Sequence, residues 1–214
     1  DYTVNISSQR NYGDGYVYKD YGAGFFDNTG DDGIEIDFYV KVTSANYDDN
    51  FANMYPLVLS NTVGTMDDLT TASDYAYVRL YVNVQDSLLI SIAGSELQGS
   101  GLPLKTFGGY EGNEYWCRFQ MNSTAWTLYV YSNSQRTNLV GSVTNGYTTT
   151  FVPRRYAYIT NVDDDGSSGN NYFNATTGFL LIRKPAAGGV AASDTYSTSG
   201  WQPLVRIGDW ADNY

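Results

Sequence analysis

Histidine is absent from the chain. That removes a Ser-His-Asp triad, a His-ligated zinc and an imidazole general base together, leaving carboxylates, Tyr and Lys for any acid–base work. A single cysteine, Cys117, excludes an intramolecular disulfide and any cysteine-based metal site. Within the strand-like run YWCRFQM it reads as a small buried hydrophobe. Basic residues are scarce: 12 Lys and Arg stand against 23 Asp and Glu, a formal net charge of −11. A nucleic-acid partner needs a basic stripe to displace counterions, and an anionic membrane surface needs the same sign of charge, so both are disfavoured. No apolar run is long enough to span a bilayer.

What is present is aromatic and small. The 214 residues include 21 Tyr and 22 Gly, with only 16% charged residues. Tyr, Thr, Val and Phe favour strands, and Gly suits the turns of an all-β chain. Period-2 alternation recurs, with no competing helical period. In IEIDFYVKV, Ile34, Ile36, Phe38 and Val40 face one way while Glu35, Asp37, Tyr39 and Lys41 face the other. YAYVRLYVNV puts Ala76, Val78, Leu80, Val82 and Val84 inward and Tyr75, Tyr77, Arg79, Tyr81 and Asn83 outward. DSLLISIAG is its expected hairpin partner, and EYWCRFQM and AWTLYVYSN flank NST as a second hairpin. YPLVLS, NLVGSV, RRYAYITNV and GFLLIRKP add further strands, about ten in all. The expected fold is all-β, a two-sheet antiparallel β-sandwich or jelly roll.

Residues 1–214 read as one such domain. The segments 1–12 and 186–214 lie outside the sandwich pattern and can pair within the chain or with a neighbouring subunit. Residues 184–200, rich in Gly, Ala and Ser, are the most linker-like stretch. The first residue is Asp1 rather than Met. The expectation is therefore a secreted protein with its signal peptide removed, extracellular or at a cell surface.

The run IEIDFYVKV, then YVRLYVNVQDSLLISIAG, then EYWCRFQMNSTAWTLYVYSNSQRTNLVGSV resembles the laminin-G-like and concanavalin A-like jelly-roll superfamily of lectins and glucanases. Trp116, Leu128, Tyr129, Val130 and Gly141 stand where that pattern expects them, across roughly residues 30–185. The resemblance implies a concanavalin A-like jelly roll. The superfamily also holds retaining glucanases with a Glu-x-Asp-x-Glu or Glu-x-Asp-x-x-Glu signature. Glu35 and Asp37 match its first two positions, but the third falls on Tyr39 or Val40. A retaining glycosidase needs a nucleophile and a separate acid/base roughly 5–5.5 Å apart. With that carboxylate missing, the expectation is that the chain is not an enzyme, and that Glu35 and Asp37 are solvent-facing residues of an alternating strand.

Other patterns supply candidate sites. Asn161, Asp163, Asp165 and Gly166 have the one-three-five-six spacing of a Ca²⁺ loop, though Tyr172 stands where its last Glu belongs. The alternative is a solvated connection, so no cofactor is required and Ca²⁺ is the sole candidate. Asn5, Asn122 and Asn174 open N-glycosylation sequons, a number that chance alone supplies in a chain so rich in Asn, Ser and Thr. The outward tyrosines, Tyr75, Tyr77, Tyr81, Tyr129, Tyr131, Tyr156 and Tyr158, form a second core layer, a sugar-stacking platform or a protein interface. Two functions are expected from these features. The first is a non-catalytic structural or adhesive surface protein, the repeating subunit of an extracellular fibre or array that pairs with copies of itself through terminal strands. The alternative is a lectin-like carbohydrate-binding module, with or without Ca²⁺.

Overall fold

The computed structural model of the chain describes residues 3–9, 16–27, 33–46, 52–64, 75–83, 85–95, 97–105, 109, 111–147, 152–162, 172–185, 201–206 and 211–213. Fourteen strands occupy them: β1 Thr3–Gln9, β2 Tyr16–Asp20, β3 Ile34–Asn46, β4 Ala52–Ser60, β5 Tyr75–Val82, β6 Leu88–Gly94, β7 Leu97–Lys105, β8 Glu114–Met121, β9 Ala125–Tyr131, β10 Leu139–Gly146, β11 Tyr156–Val162, β12 Tyr172–Pro185, β13 Trp201–Arg206 and β14 Ala211–Asn213. They form two seven-stranded antiparallel sheets. Sheet A runs β1-β12-β3-β8-β9-β10, with β13 also beside β12, and sheet B runs β14-β2-β11-β4-β5-β6-β7. The chain is an antiparallel β-sandwich of the jelly-roll type.

Alternation puts the apolar sets between the sheets. Ile34, Ile36, Phe38, Val40 and Val42 of β3 meet Leu80, Val78, Ile90 and Ile92 of sheet B in one core, with Phe119, Trp126 and Leu128. Both expected hairpins are present, β5 with β6 and β8 with β9. Of the strands beyond the expected ten, β7 has a sequence that hides it. LQGSGLPLK in β7 is broken by Gly and Pro, residues tolerated because among the described residues this strand pairs with β6 alone, at the sheet's edge. On that side the sheets close on each other: a Cβ at Gly141 of β10 would lie 2.9 Å from Leu102 Cδ1 of β7.

Two bulges decide which side chains point outward. Between Met54 and Leu57, β4 spends three residues against two of β5, so Met54, Leu57 and Leu59 all reach the core. The second lies in β12: Gly178 pairs with Tyr39, but Leu181 pairs with Asp37. One extra residue there inverts the alternation, so Phe173 and Ala175 face inward before the bulge and Ile182 after it. Arg183 is thereby turned to the outer face, beside Glu35. At the termini, β1 lies along residues 172–178 of β12, β13 along residues 181–185, and β14 along β2.

Candidate functional site

The outer face of sheet A carries polar and aromatic residues in register across its strands. Arg183, Glu35, Gln120 and Thr127 form one row, and Leu181, Asp37, Arg118 and Tyr129 the next. Gly178, Tyr39, Trp116 and Tyr131 form a third. Lys41 and Glu114 close the platform with an exposed ion pair at 2.9 Å.

Glu35 and Asp37 differ from their expected place. They are 3% and 0% exposed, not solvent-facing. The strand does alternate as read, but arginines cover its outer face. Arg118 Nε donates to Asp37 Oδ1 at 2.9 Å and stands 3.0 Å from Glu35 Oε1. Arg183 Nη1 donates to Asp37 Oδ2 at 2.6 Å and to Glu35 Oε2 at 3.3 Å. Gln120 Nε2 donates to Glu35 Oε1 at 2.9 Å. A third guanidinium, Arg136 of the β9–β10 turn, brings Nη1 to 3.6 Å from Asp37 Oδ2. Burial pushes the Asp37 pKa up, yet the hydrogen bond from Arg118 and the charges of Arg136, Arg118 and Arg183 prevail and hold it below its ordinary value. Asp37 is therefore ionised at neutral pH and has no proton to give a leaving group. Asp37 therefore does not serve as a glucanase-type acid, and the third carboxylate of that signature is missing.

Arg136 is placed by a compact turn. Asn133 Oδ1 accepts from the backbone N–H groups of Thr137 and Asn138, each at 3.0 Å, and Arg136 N donates to Asn133 O at 3.0 Å. Arg136 sits at φ 55°, a left-handed conformation that costs a non-glycine residue energy. The turn thereby lays its long side chain, 8% exposed, onto the charged cluster. Desolvation lowers the Arg136 pKa, only partly offset by Asp37. Its Nε and Nη2 are buried and, among the described residues, have no hydrogen-bond partner.

Sheet B presents a different outer face. Tyr75 and Tyr77 stack with centroids 5.6 Å apart, and the Arg79 guanidinium lies 4.1 Å from the Tyr81 ring centre. Tyr55, Val58 and Tyr158 are buried among Tyr18, Tyr75, Tyr77 and Tyr156, a small second apolar cluster. The outward tyrosines therefore divide between the sheets, with Tyr129 and Tyr131 on sheet A.

The remaining candidates scatter. Asn161 lies in β11, whereas Asp163 and Asp165 are outside the described residues. Among the described residues no group of three or more acidic, Cys or His side chains is placed to hold a metal. Asn5 lies in β1, opposite Thr176. Asn122 occupies the exposed β8–β9 turn, where its Oδ1 accepts from Thr124 N and Ala125 N, both at 2.9 Å. Asn174 lies inside β12 rather than in a turn, and donates to Ser44 Oγ at 2.9 Å. Sequence reasoning missed Arg118, Gln120, Arg136 and Arg183. The first two have outward parity in EYWCRFQM, a usable signal, but Arg183 needs the bulge and Arg136 needs the turn.

No family model matches the chain, and no curated protein matches it. Similar solved structures include a functionally unknown protein from Saccharomyces cerevisiae, at TM-score 0.46 and 9% identity, covering 86% of this chain and 89% of that one. A marine PL7 alginate lyase from Zobellia galactanivorans is similar at TM-score 0.42 and 10% identity, over 84% of this chain and 65% of the lyase. An alginate lyase from Klebsiella pneumoniae has TM-score 0.43 and 12% identity, over 72% and 61%. The chain thus spans less than two thirds of either lyase. Alginate lyases are enzymes, so the expectation that this chain is not an enzyme is corrected. The missing histidine and third carboxylate exclude particular chemistries, and catalysis as such is not among them. At these identities and TM-scores no activity carries over to this chain.

Proposed function

We propose that the outer face of sheet A binds carbohydrate. The adjacency of two part-exposed rings, Tyr39 and Trp116, backed by the buried Tyr131, to a polar row fixed by buried ion pairs supports this reading. A sugar ring offers an apolar C–H face and a rim of hydroxyls, so it suits a surface where rings and oriented donors alternate. Tyr39 and Trp116 lie with ring centroids 5.5 Å apart, and both are half-buried. Arg118 and Arg183 are buried and paired with Asp37 and Glu35, so they hold this face rigid and little side-chain entropy is lost when a ligand arrives. The strand and aromatic pattern supports placing the sandwich among concanavalin A-like jelly rolls. The exposed sequon turn at Asn122 suits an extracellular setting. A glycan array probed with the wild type and with Trp116→Ala tests this: wild-type binding, at least tenfold weaker in the variant, is expected. An empty array, or unchanged binding by a folded Trp116→Ala, refutes it. Incubating the bound glycans with the protein and sizing the products reports whether binding leads to cleavage.

A second reading is self-assembly through terminal strands. The observation favouring it is that β12 carries β1 along one half and β13 along the other, with residues 186–200 preceding β13. The same β12–β13 ladder formed between copies gives a heterologous contact that propagates into a filament. Electron microscopy of the full chain and of a chain ending at Pro185 tests it. Filaments formed by the first and lost in the second are expected, and a full chain that stays monomeric at high concentration refutes it.

A further inference from the structure

We infer that the glycan taken by sheet A is acidic, and that Arg136 seats its anionic group, a uronate carboxylate or a sulfate ester. This rests on the carbohydrate reading above and narrows it. Among the described residues the cluster joins three guanidiniums, Arg118, Arg136 and Arg183, to two carboxylates, Glu35 and Asp37. Counted over these described residues it keeps one positive charge in excess, in a protein whose formal net charge is −11. The wider negative charge is screened over about 8 Å at physiological ionic strength, so local charge governs what settles here.

Arg136 carries the excess. Arg118 and Arg183 contact both carboxylates closely, whereas Arg136 makes one long contact, at 3.6 Å. Its Nε and Nη2 form one edge of the guanidinium fork, the edge that binds a carboxylate or sulfate with two parallel hydrogen bonds. Buried donors without acceptors are rare in folded proteins because each costs desolvation that nothing repays. Here that cost adds to the left-handed backbone at the same residue. An unfavourable residue held in an unfavourable conformation, by a turn bonded through Asn133, fits a group kept for a ligand.

The turn also explains how an anion reaches it. Ser132, Ser134, Gln135, Thr137 and Asn138 are exposed, and among the described residues the turn's hydrogen bonds are internal, so it can shift outward with its own bonds intact once an anion takes the place of the 3.6 Å Arg136–Asp37 contact. Along β3, Asp37 and Tyr39 are same-face neighbours about 7 Å apart. An anionic group at Arg136 thus places the sugar beside the Tyr39–Trp116 pair.

Calorimetric titration with three hexasaccharides tests this: an oligogalacturonate, a sulfated galactan and a neutral galactan, each against the wild type, Arg136→Met and Arg136→Lys. One of the acidic probes is expected to bind at least tenfold more tightly than the neutral one, with affinity falling as salt rises. Arg136→Met is expected to erase that preference, and Arg136→Lys to retain part of it. The tighter acidic probe identifies the anion. Neutral binding equal to or stronger than acidic binding overturns the inference and leaves carbohydrate recognition standing. An acidic preference that survives in Arg136→Met overturns the role of Arg136. Failure of all three probes, together with an empty glycan array, removes both.

Discussion

Replacing Asp37 with Asn leaves the shape of the charged cluster unchanged and removes the charge at its centre. Asp37 is fully buried, accepts from Arg118 Nε at 2.9 Å and from Arg183 Nη1 at 2.6 Å, and faces Arg136 at 3.6 Å. Hydrogen bonds to charged groups contribute about 1.5–3 kcal/mol each, and an Asn oxygen retains only part of one of them. Among the described residues the excess of guanidinium over carboxylate rises from one to two in a buried cluster. Removing one partner from a buried pair costs about 3–5 kcal/mol, and the two estimates agree. That is a large share of the roughly 5–15 kcal/mol that holds a domain folded. In urea unfolding at pH 7 the midpoint is expected to fall by roughly 1–2 M with little change in slope. The loss is also expected to depend on pH. The Asp37 pKa is depressed in the folded protein, so its stabilisation is complete above its ordinary value of 3.8 and disappears as pH falls through the lowered value. Wild type and Asp37→Asn are therefore expected to converge in stability below about pH 4. A loss under about 1 kcal/mol at pH 7, or a gap that does not narrow in acid, refutes the reasoning.

Arg136→Met is expected to leave stability unchanged or raise it by about 1 kcal/mol, because it removes a buried cation with unpartnered donors; urea unfolding beside the calorimetry checks this, and a loss above about 2 kcal/mol contradicts it. Gly94→Ala is expected to cost about 1–3 kcal/mol, since its Cβ would sit 2.8 Å from the Tyr75 carbonyl oxygen, which is backbone and cannot turn aside. Gly141→Ala is expected to cost far less by the same measurement, because the 2.9 Å neighbour is the mobile end of Leu102. The hydrogen bond from Arg155 draws the Asp20 pKa down to about 2. A carboxyl NMR titration is expected to find it there and, in Arg155→Gln, to find it raised toward its ordinary value, with the backbone N–H of Gly22 still holding it somewhat down.

Much of the fold was legible because alternation records burial directly. Ile34 to Val42 and Ala76 to Val82 point where their periods say, and both hairpins follow from adjacent runs. What was not legible depends on contacts distant in sequence. The 37–118 and 37–183 pairs join residues of β3, β8 and β12, which only the sheet order brings side by side. Arg183 also depends on one unpaired residue in β12, which Gly178 at the head of GFLLIRKP hints at without fixing which residue is unpaired. The polar face of β3 therefore read as wet, although three arginines supplied from elsewhere cover it. Tyr75 and Tyr77 read correctly as outward, but packing among Tyr18, Tyr55 and Tyr158 became visible only with the register of β2, β4 and β11.

Titrating a bound oligosaccharide into isotope-labelled protein and following backbone amide shifts tests the central claim most directly. Perturbations concentrated at residues 35–41, 114–120, 127–131 and the turn around Arg136, with residues 75–81 unmoved, are the expected result. Shifts gathered on the tyrosines of sheet B, or none on sheet A at saturating ligand, would contradict it.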